Sequence, residues 1–193
     1  MTAAVPSVVA GADGRLRCPW GVSTPDYEAY HDQEWGRPVR DDVGLFERLT
    51  LEAFQSGLSW LTILRKREAF RAAFSGFDPA VVAAFDETDR ERLLSDAGIV
   101  RNRAKIAAAI TNARALLDLD EPFADLLWSF APAAGERARP RSLADIPATT
   151  PESKAMSKEL KRRGFVFVGP TTAYALMQAT GMVDDHLAEC YVT

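Results

Sequence analysis

Cysteine and histidine are scarce in this 193-residue chain, with two of each. Two cysteines far apart, without an apolar segment behind a charged start, give no sign of an oxidising compartment or a secretory signal. No apolar run approaches the roughly 20 residues that span a bilayer, so the expectation is a soluble cytoplasmic protein that avoids membranes. Basic residues do not dominate: 23 Lys and Arg stand against 27 Asp and Glu, a net charge of −4. That balance argues against a generic nucleic-acid coat, whose affinity for phosphate grows with the number of cationic contacts. Strand-forming sequence is also nearly missing, since only Phe165 to Val168 is β-rich.

The scarce residues fall at the two ends: Cys18 and His31 near the start, His186 and Cys190 near the finish. Two thiolates and two imidazoles complete the tetrahedral donor set of a structural zinc site, which leaves no open position. His186 and Cys190, four apart, are expected on one face of a helical turn, whereas the Cys18 half must bend back on itself. The alternative is two incidental buried cysteines and two ordinary histidines. The zinc reading makes the four residues a clasp that joins the ends and supports the fold without entering the reaction.

With 47% hydrophobic residues the chain can bury one substantial core or two small lobes. Residues 1–14 are expected to be a disordered extension, and 15–193 a single helical domain. Asp42 precedes an amphipathic run through Leu45, Leu49 and Ala53, broken at Ser56-Gly57 and resumed through Leu58, Leu61 and Leu64. Asp78-Pro79 predicts a helix start, Thr88 with Glu91 a capping box, and Gly98 a stop. Further helices are expected from Asn102 to Leu117, Phe123 to Phe130, Thr150-Pro151 onward, and Ala173 to Ala179. Between them, residues 131–151 carry Pro132, Pro140, Pro147 and Pro151 and read as a loop.

Basic residues cluster at Arg65-Lys66-Arg67, at Arg101, Arg103 and Lys105, and from Lys154 to Lys161, Arg162 and Arg163. The last cluster leads into Gly164-Phe165-Val166-Phe167-Val168-Gly169-Pro170-Thr171, a glycine-bounded hairpin opening into a helix. Such a turn presents unpaired N–H groups and a positive dipole end to a phosphate; the plain alternative is a helical turn with buried Phe165, Phe167 and Val168. The N-terminal third is aromatic, holding Trp20, Tyr27, Tyr30, Trp35 and Trp60. Aromatic faces stack on an extruded base and attract a cationic ring. Glu52 falls three residues after Leu49 on the inward face of its helix. A carboxylate there is destabilised by desolvation unless a partner or ligand satisfies it, so it either pairs with a buried arginine or faces a site.

Together these segments are similar to a known family. Cys18-Pro19-Trp20, Tyr30-His31-Asp32-Gln33-Glu34-Trp35-Gly36, Leu51-Glu52-Ala53-Phe54-Gln55-Ser56-Gly57-Leu58-Ser59-Trp60, Lys161 to Gly169, and Asp185-His186 with Cys190 resemble the 3-methyladenine DNA glycosylase I family, from Arg17 to Cys190. Pro19, where glycine is common, and the N-terminal extension depart from its pattern. The resemblance implies an all-α helix-hairpin-helix DNA glycosylase with structural zinc on Cys18, His31, His186 and Cys190. It implies that Glu52 is the catalytic carboxylate, that Trp20, Tyr30 and Trp60 bind the methylated base, and that Gly57-Leu58 enters the base stack. Phosphate contact is then expected from Gly164, Val168, Gly169, Thr171, Lys161, Arg162 and Arg163. The partners implied are alkylated double-stranded DNA and free 3-methyladenine as product, handled by a monomer. No lysine occupies a Schiff-base motif, so a monofunctional enzyme that leaves an abasic site is expected. Asp184 or Asp185 is expected to orient His186, the alternative being stabilisation of an oxocarbenium-like transition state. Two other classes stay open: a zinc-stapled DNA-binding module without catalysis, and a zinc hydrolase or deaminase, which needs an open metal position.

Overall fold

In the computed structural model, which describes residues 7–133 and 135–192, nine α-helices pack around a main core, and a smaller buried cluster joins Cys18 to Leu187, Cys190 and Val192. They are α1 (Pro25–Gln33), α2 (Asp42–Gln55), α3 (Trp60–Ala73), α4 (Pro79–Ala83), α5 (Glu87–Ser95), α6 (Arg103–Leu117), α7 (Phe123–Trp128), α8 (Pro151–Arg162) and α9 (Pro170–Ala179). None is long and apolar enough to cross a membrane. The only strands among the described residues are β1 (Val9–Ala10) and β2 (Leu16–Arg17), an antiparallel pair. Residues 7–14 therefore differ from the expected disordered extension. Arg17, 1% exposed, anchors this hairpin by hydrogen bonds to Asp13 and Asp32. Residues 1–6 of the expected extension lie outside the described region.

Helix α2 is central because its apolar residues cover more than one face: Leu45, Phe46, Leu49, Leu51 and Phe54 are all fully buried. It packs against α3, α6, α7 and α9. Its cap is Asp41, whose carboxylate accepts from the Gly44 N–H at 2.7 Å, one residue before the start expected from sequence. At its other end Gly57, at φ 81°, turns the chain toward α3. Buried Lys105 donates to the carbonyls of Phe54 and Ser56 at 2.9 and 2.5 Å and closes the C-terminus of α2. Thus Lys105 belongs to the scaffold of this turn and is not part of a solvated basic cluster.

The expected capping box at Thr88 and Glu91 is instead Asp86 and Asp89. The Asp89 N–H donates to Asp86 at 3.1 Å and the Asp86 N–H to Asp89 at 3.3 Å. A carboxylate satisfies a cap as well as a hydroxyl does, so the earlier aspartate begins the helix. Asp86→Ala is expected to cost about 1 kcal/mol and Thr88→Ala less than about 0.5 kcal/mol in equilibrium denaturation; equal effects would contradict this start. Helix α5 ends at Ser95, before Gly98. Phe165 to Val168 is not a strand, and no helix covers His186 and Cys190.

Helix α8 ends in a Schellman turn, in which the Phe165 N–H donates to the Leu160 carbonyl at 2.9 Å and the Gly164 N–H to Lys161 at 3.1 Å. Gly164 adopts φ 91°, which a side chain would strain. The chain then passes through residues 165–169 into α9, and α8 and α9 pack together. Asn112 of α6 holds this connection with both ends of its amide, accepting from the Val166 N–H at 2.8 Å and donating to its carbonyl at 3.1 Å.

Candidate functional site

A cleft of about 270 Å³ opens between the first helices and α9. Trp20, Tyr27, Tyr30, Trp35 and Trp60 form its aromatic walls, and Glu52, Gln55 and Gln178 supply polar groups. Trp20 precedes α1 in a short 3₁₀ turn, Tyr30 lies on α1, Glu52 on α2, and Trp60 opens α3. The rings meet at angles: the Tyr30 and Trp60 centroids are 5.4 Å apart, and Trp20 and Trp35 are edge-to-face at 5.0 Å. Angled packing fixes the walls while leaving a slot, because neighbouring rings are not stacked flat on each other.

Glu52 is 7% exposed and has no hydrogen-bond or ion-pair partner among the described residues. The arginine closest to it electrostatically, Arg48, is engaged by Glu34 at 3.3 Å and Glu47 at 3.0 Å. Burial therefore pushes the Glu52 carboxyl up to about 8, with Arg48 opposing only in part. Of the two alternatives open from sequence, a locked arginine pair and a residue facing a site, the geometry is the second. Tyr30, also buried, has its phenol raised by desolvation and by Glu52. The indole Nε1 of Trp60 is buried without a partner. An unsatisfied acceptor and an unsatisfied donor between aromatic faces can accommodate a flat, polar-edged ligand, and the acid favours a cationic one.

Beside the cleft the segment holding Cys18 and His31 meets the one holding His186 and Cys190. Cys18, His31 and Cys190 are buried, with ligand atoms all within 4.8 Å of one another, and could hold a metal ion. His186 stands outside that close group, its ring centroid 5.0 Å from that of His31. Its Nε2 is buried and unpartnered. Each imidazole is oriented through Nδ1 by a carboxylate, His31 by Asp32 and His186 by Asp184, both at 2.8 Å. Asp184 thus takes the orienting role expected for that pair. Asp185 faces elsewhere, toward Tyr174, Gln178 and Arg137.

The nucleic-acid residues expected from sequence fall on two turns and on the ends of α8 and α9 that flank the second. Leu58, 41% exposed, projects from the turn after α2. Val166 and Phe167 are exposed at the second turn, whereas Phe165 and Val168 are buried. Phe167 therefore departs from the plain buried turn, and Val168 can present only its backbone, its carbonyl already accepting from Ser157 at 2.7 Å. Thr171 is exposed in the first turn of α9, where no side chain caps the free N–H groups. Arg162 pairs with Glu159, and Arg163 with Glu159, Asp120 and Glu121. Their charge is partly neutralised; Lys154, Lys158 and Lys161 have no ion pair among the described residues. Arg65 and Arg67 are engaged by Asp26 and Glu34, and Lys66 by the carbonyls of Ala97 and Gly98.

Leu143, Ile146, Ala175 and Gln178 also line the cleft and were not identified as site residues from sequence. Leu143 and Ile146 arrive from the proline-rich segment, which has no periodicity to mark them. A lone glutamine among apolar residues of α9 was the available signal for Gln178.

A mostly helical scaffold with an aromatic slot and a buried carboxyl beside it defines a protein suited to hold a planar, polar-edged ring. The methyladenine glycosylase family model matches residues 20–193. The chain is 51% identical to DNA-3-methyladenine glycosylase 1 of Escherichia coli strain K12, over 90% of this chain and 95% of that protein. A crystal structure of 3-methyladenine DNA glycosylase I superposes with a TM-score of 0.87 at 50% identity, covering 91% of this chain and 98% of the other. A variant 3-methyladenine DNA glycosylase I in complex with 3-methyladenine gives a TM-score of 0.86 at 35% identity, covering 91% and 96%. The chain belongs to the methyladenine glycosylase family.

Proposed function

We propose that this protein repairs alkylated duplex DNA by hydrolysing the N-glycosidic bond of 3-methyladenine, releasing the free base and leaving an abasic site. The observation that carries this reading is Glu52, a buried carboxyl without a protein partner in a cleft walled by aromatic rings. Methylation at N3 makes the adenine cationic while it is attached to the sugar. The cation stacks between Tyr30, Trp60 and the neighbouring indoles, and its charge favours ionised Glu52. Normal adenine is neutral and lacks that attraction. As the glycosidic bond breaks, its electron pair returns to the ring and the base leaves neutral; a water oxygen bonds to the anomeric carbon and releases a proton to solvent.

The base must be extruded to reach the cleft, at a cost of a few kcal/mol. Exposed Leu58 is suited to enter the stack beside the vacated position. Residues 163–169 between α8 and α9 act as the helix-hairpin-helix element, with Gly169 and Thr171 offering backbone N–H contacts to phosphate, Gly164 shaping the turn through its own N–H bond to Lys161, and Lys161 adding charge. The reaction is monofunctional and does not cut the strand.

For the clasp, Cys18, His31, Cys190 and His186 match a structural zinc donor set. The orphaned Nε2 of His186 and the carboxylates behind both rings support that assignment. Bound zinc supplies cross-linking of the two chain ends. The protein acts as a cytoplasmic monomer. Chromatography of bases liberated from methylated duplex DNA by purified protein is expected to show free 3-methyladenine and intact strands bearing abasic sites. DNA binding without any released base would overturn the catalytic reading in favour of a binding module.

A further inference from the structure

The reaction leaves unexplained why Gln178, a polar side chain on the apolar helix α9, lines the cleft. Its amide nitrogen donates to Asp185 Oδ2 at 2.8 Å. Asp185 is 1% exposed, and its Oδ2 also accepts from the Tyr174 hydroxyl at 2.5 Å. Arg137 lies 2.8 Å from Asp185 Oδ1 as an ion pair, and donates to the Tyr174 oxygen at 2.6 Å. A carboxylate only accepts, so these neighbours fix the Gln178 NH₂ toward Asp185 and leave its carbonyl oxygen as the free group. No protein donor claims that oxygen among the described residues.

We infer that Gln178 is a specificity-determining residue whose carbonyl oxygen accepts a hydrogen bond from the exocyclic amine of the bound purine, with Asp185, Tyr174 and Arg137 as the positioning residues that prevent its amide from flipping. The inference rests on the base-cleft reading above and extends it from charge to ring edge. An aminopurine donates to this oxygen. A purine with a carbonyl at the same ring position places acceptor against acceptor and is rejected. Glu52 distinguishes cation from neutral ring; Gln178 distinguishes amine from carbonyl. A flip of the amide would reverse the second preference, which gives the buried ion pair behind it a role in recognition.

The test is binding of free 3-methyladenine and free 3-methylhypoxanthine to the full chain and to Gln178→Met, read by tryptophan quenching. Methionine keeps the length of the side chain and removes its amide acceptor. The parent protein is expected to prefer the amine. In the variant 3-methyladenine affinity falls about tenfold, the loss of one hydrogen bond to a polar base edge, while 3-methylhypoxanthine binds at least as well as before. Retention of the second ligand also shows that the cleft is folded. A parallel loss of both ligands assigns Gln178 to packing alone, and unchanged affinity for both shows that it does not touch the base; either result overturns the inference while leaving the base cleft intact. If the parent protein binds neither purine, the cleft reading and this inference fall together.

Discussion

Glu52→Gln is expected to slow release of 3-methyladenine by about 100-fold or more and at the same time to stabilise the unliganded protein. The kinetic loss is comparable to removing one preorganised electrostatic partner from a catalytic site. The gain in stability follows from burial, because the native protein holds the Glu52 proton to about pH 8 whereas a solvated glutamate in the unfolded chain releases it near 4.5. Between those values the unfolded chain has released the proton and the native chain retains it. Native stability is therefore greatest below the lower value and falls as pH rises toward 8. At pH 7 the penalty amounts to roughly 3 kcal/mol, so the amide variant should melt about 6–12 °C higher, and the slope with pH should flatten. Base release, by contrast, requires the ionised form, and kcat/KM of the parent enzyme should rise through a limb near pH 8 that the variant lacks. A variant that repairs at the parental rate would remove Glu52 from the site.

The second large effect is expected at the clasp. Purified protein should contain one zinc per chain by elemental analysis, and a strong chelator should lower its melting temperature by about 10 °C or more. Structural zinc has an apparent binding free energy of roughly 10–16 kcal/mol, so even partial expression of it in folding exceeds most single side-chain effects. Cys190→Ala should reproduce the loss and make the protein insensitive to chelator. Absence of zinc together with an unchanged melting temperature would leave the four residues as ordinary buried groups.

Residues with unusual chemistry are the most readable part of this molecule. Two cysteines and two histidines have few structural uses in common, and a glutamate on the apolar face of α2 conflicts with its surroundings wherever the chain folds. Helix limits marked by an aspartate or threonine before proline, as at Pro79 and Pro151, are readable because local hydrogen bonding sets them. The Asp86 start is harder, since two overlapping patterns offer caps and the earlier one, a pair of aspartates, is the one used. Lys105 illustrates what sequence conceals: its role depends on carbonyls about fifty positions earlier in the chain. Leu143 and Ile146 reach the cleft by a route without periodicity, and the Gln178 orientation is set by Asp185, Tyr174 and Arg137 from outside the cleft.

Trp20 and Trp35 line the cleft and also pack edge-on against His31 and His186, at centroid distances of 5.0 and 4.7 Å. The same two indoles are therefore shared wall and outer lining. Loosening of the chain ends would widen the slot before the helical core gives way, and damage recognition would fail in a protein that still looks folded by its helical signal. Indole emission would register that failure early.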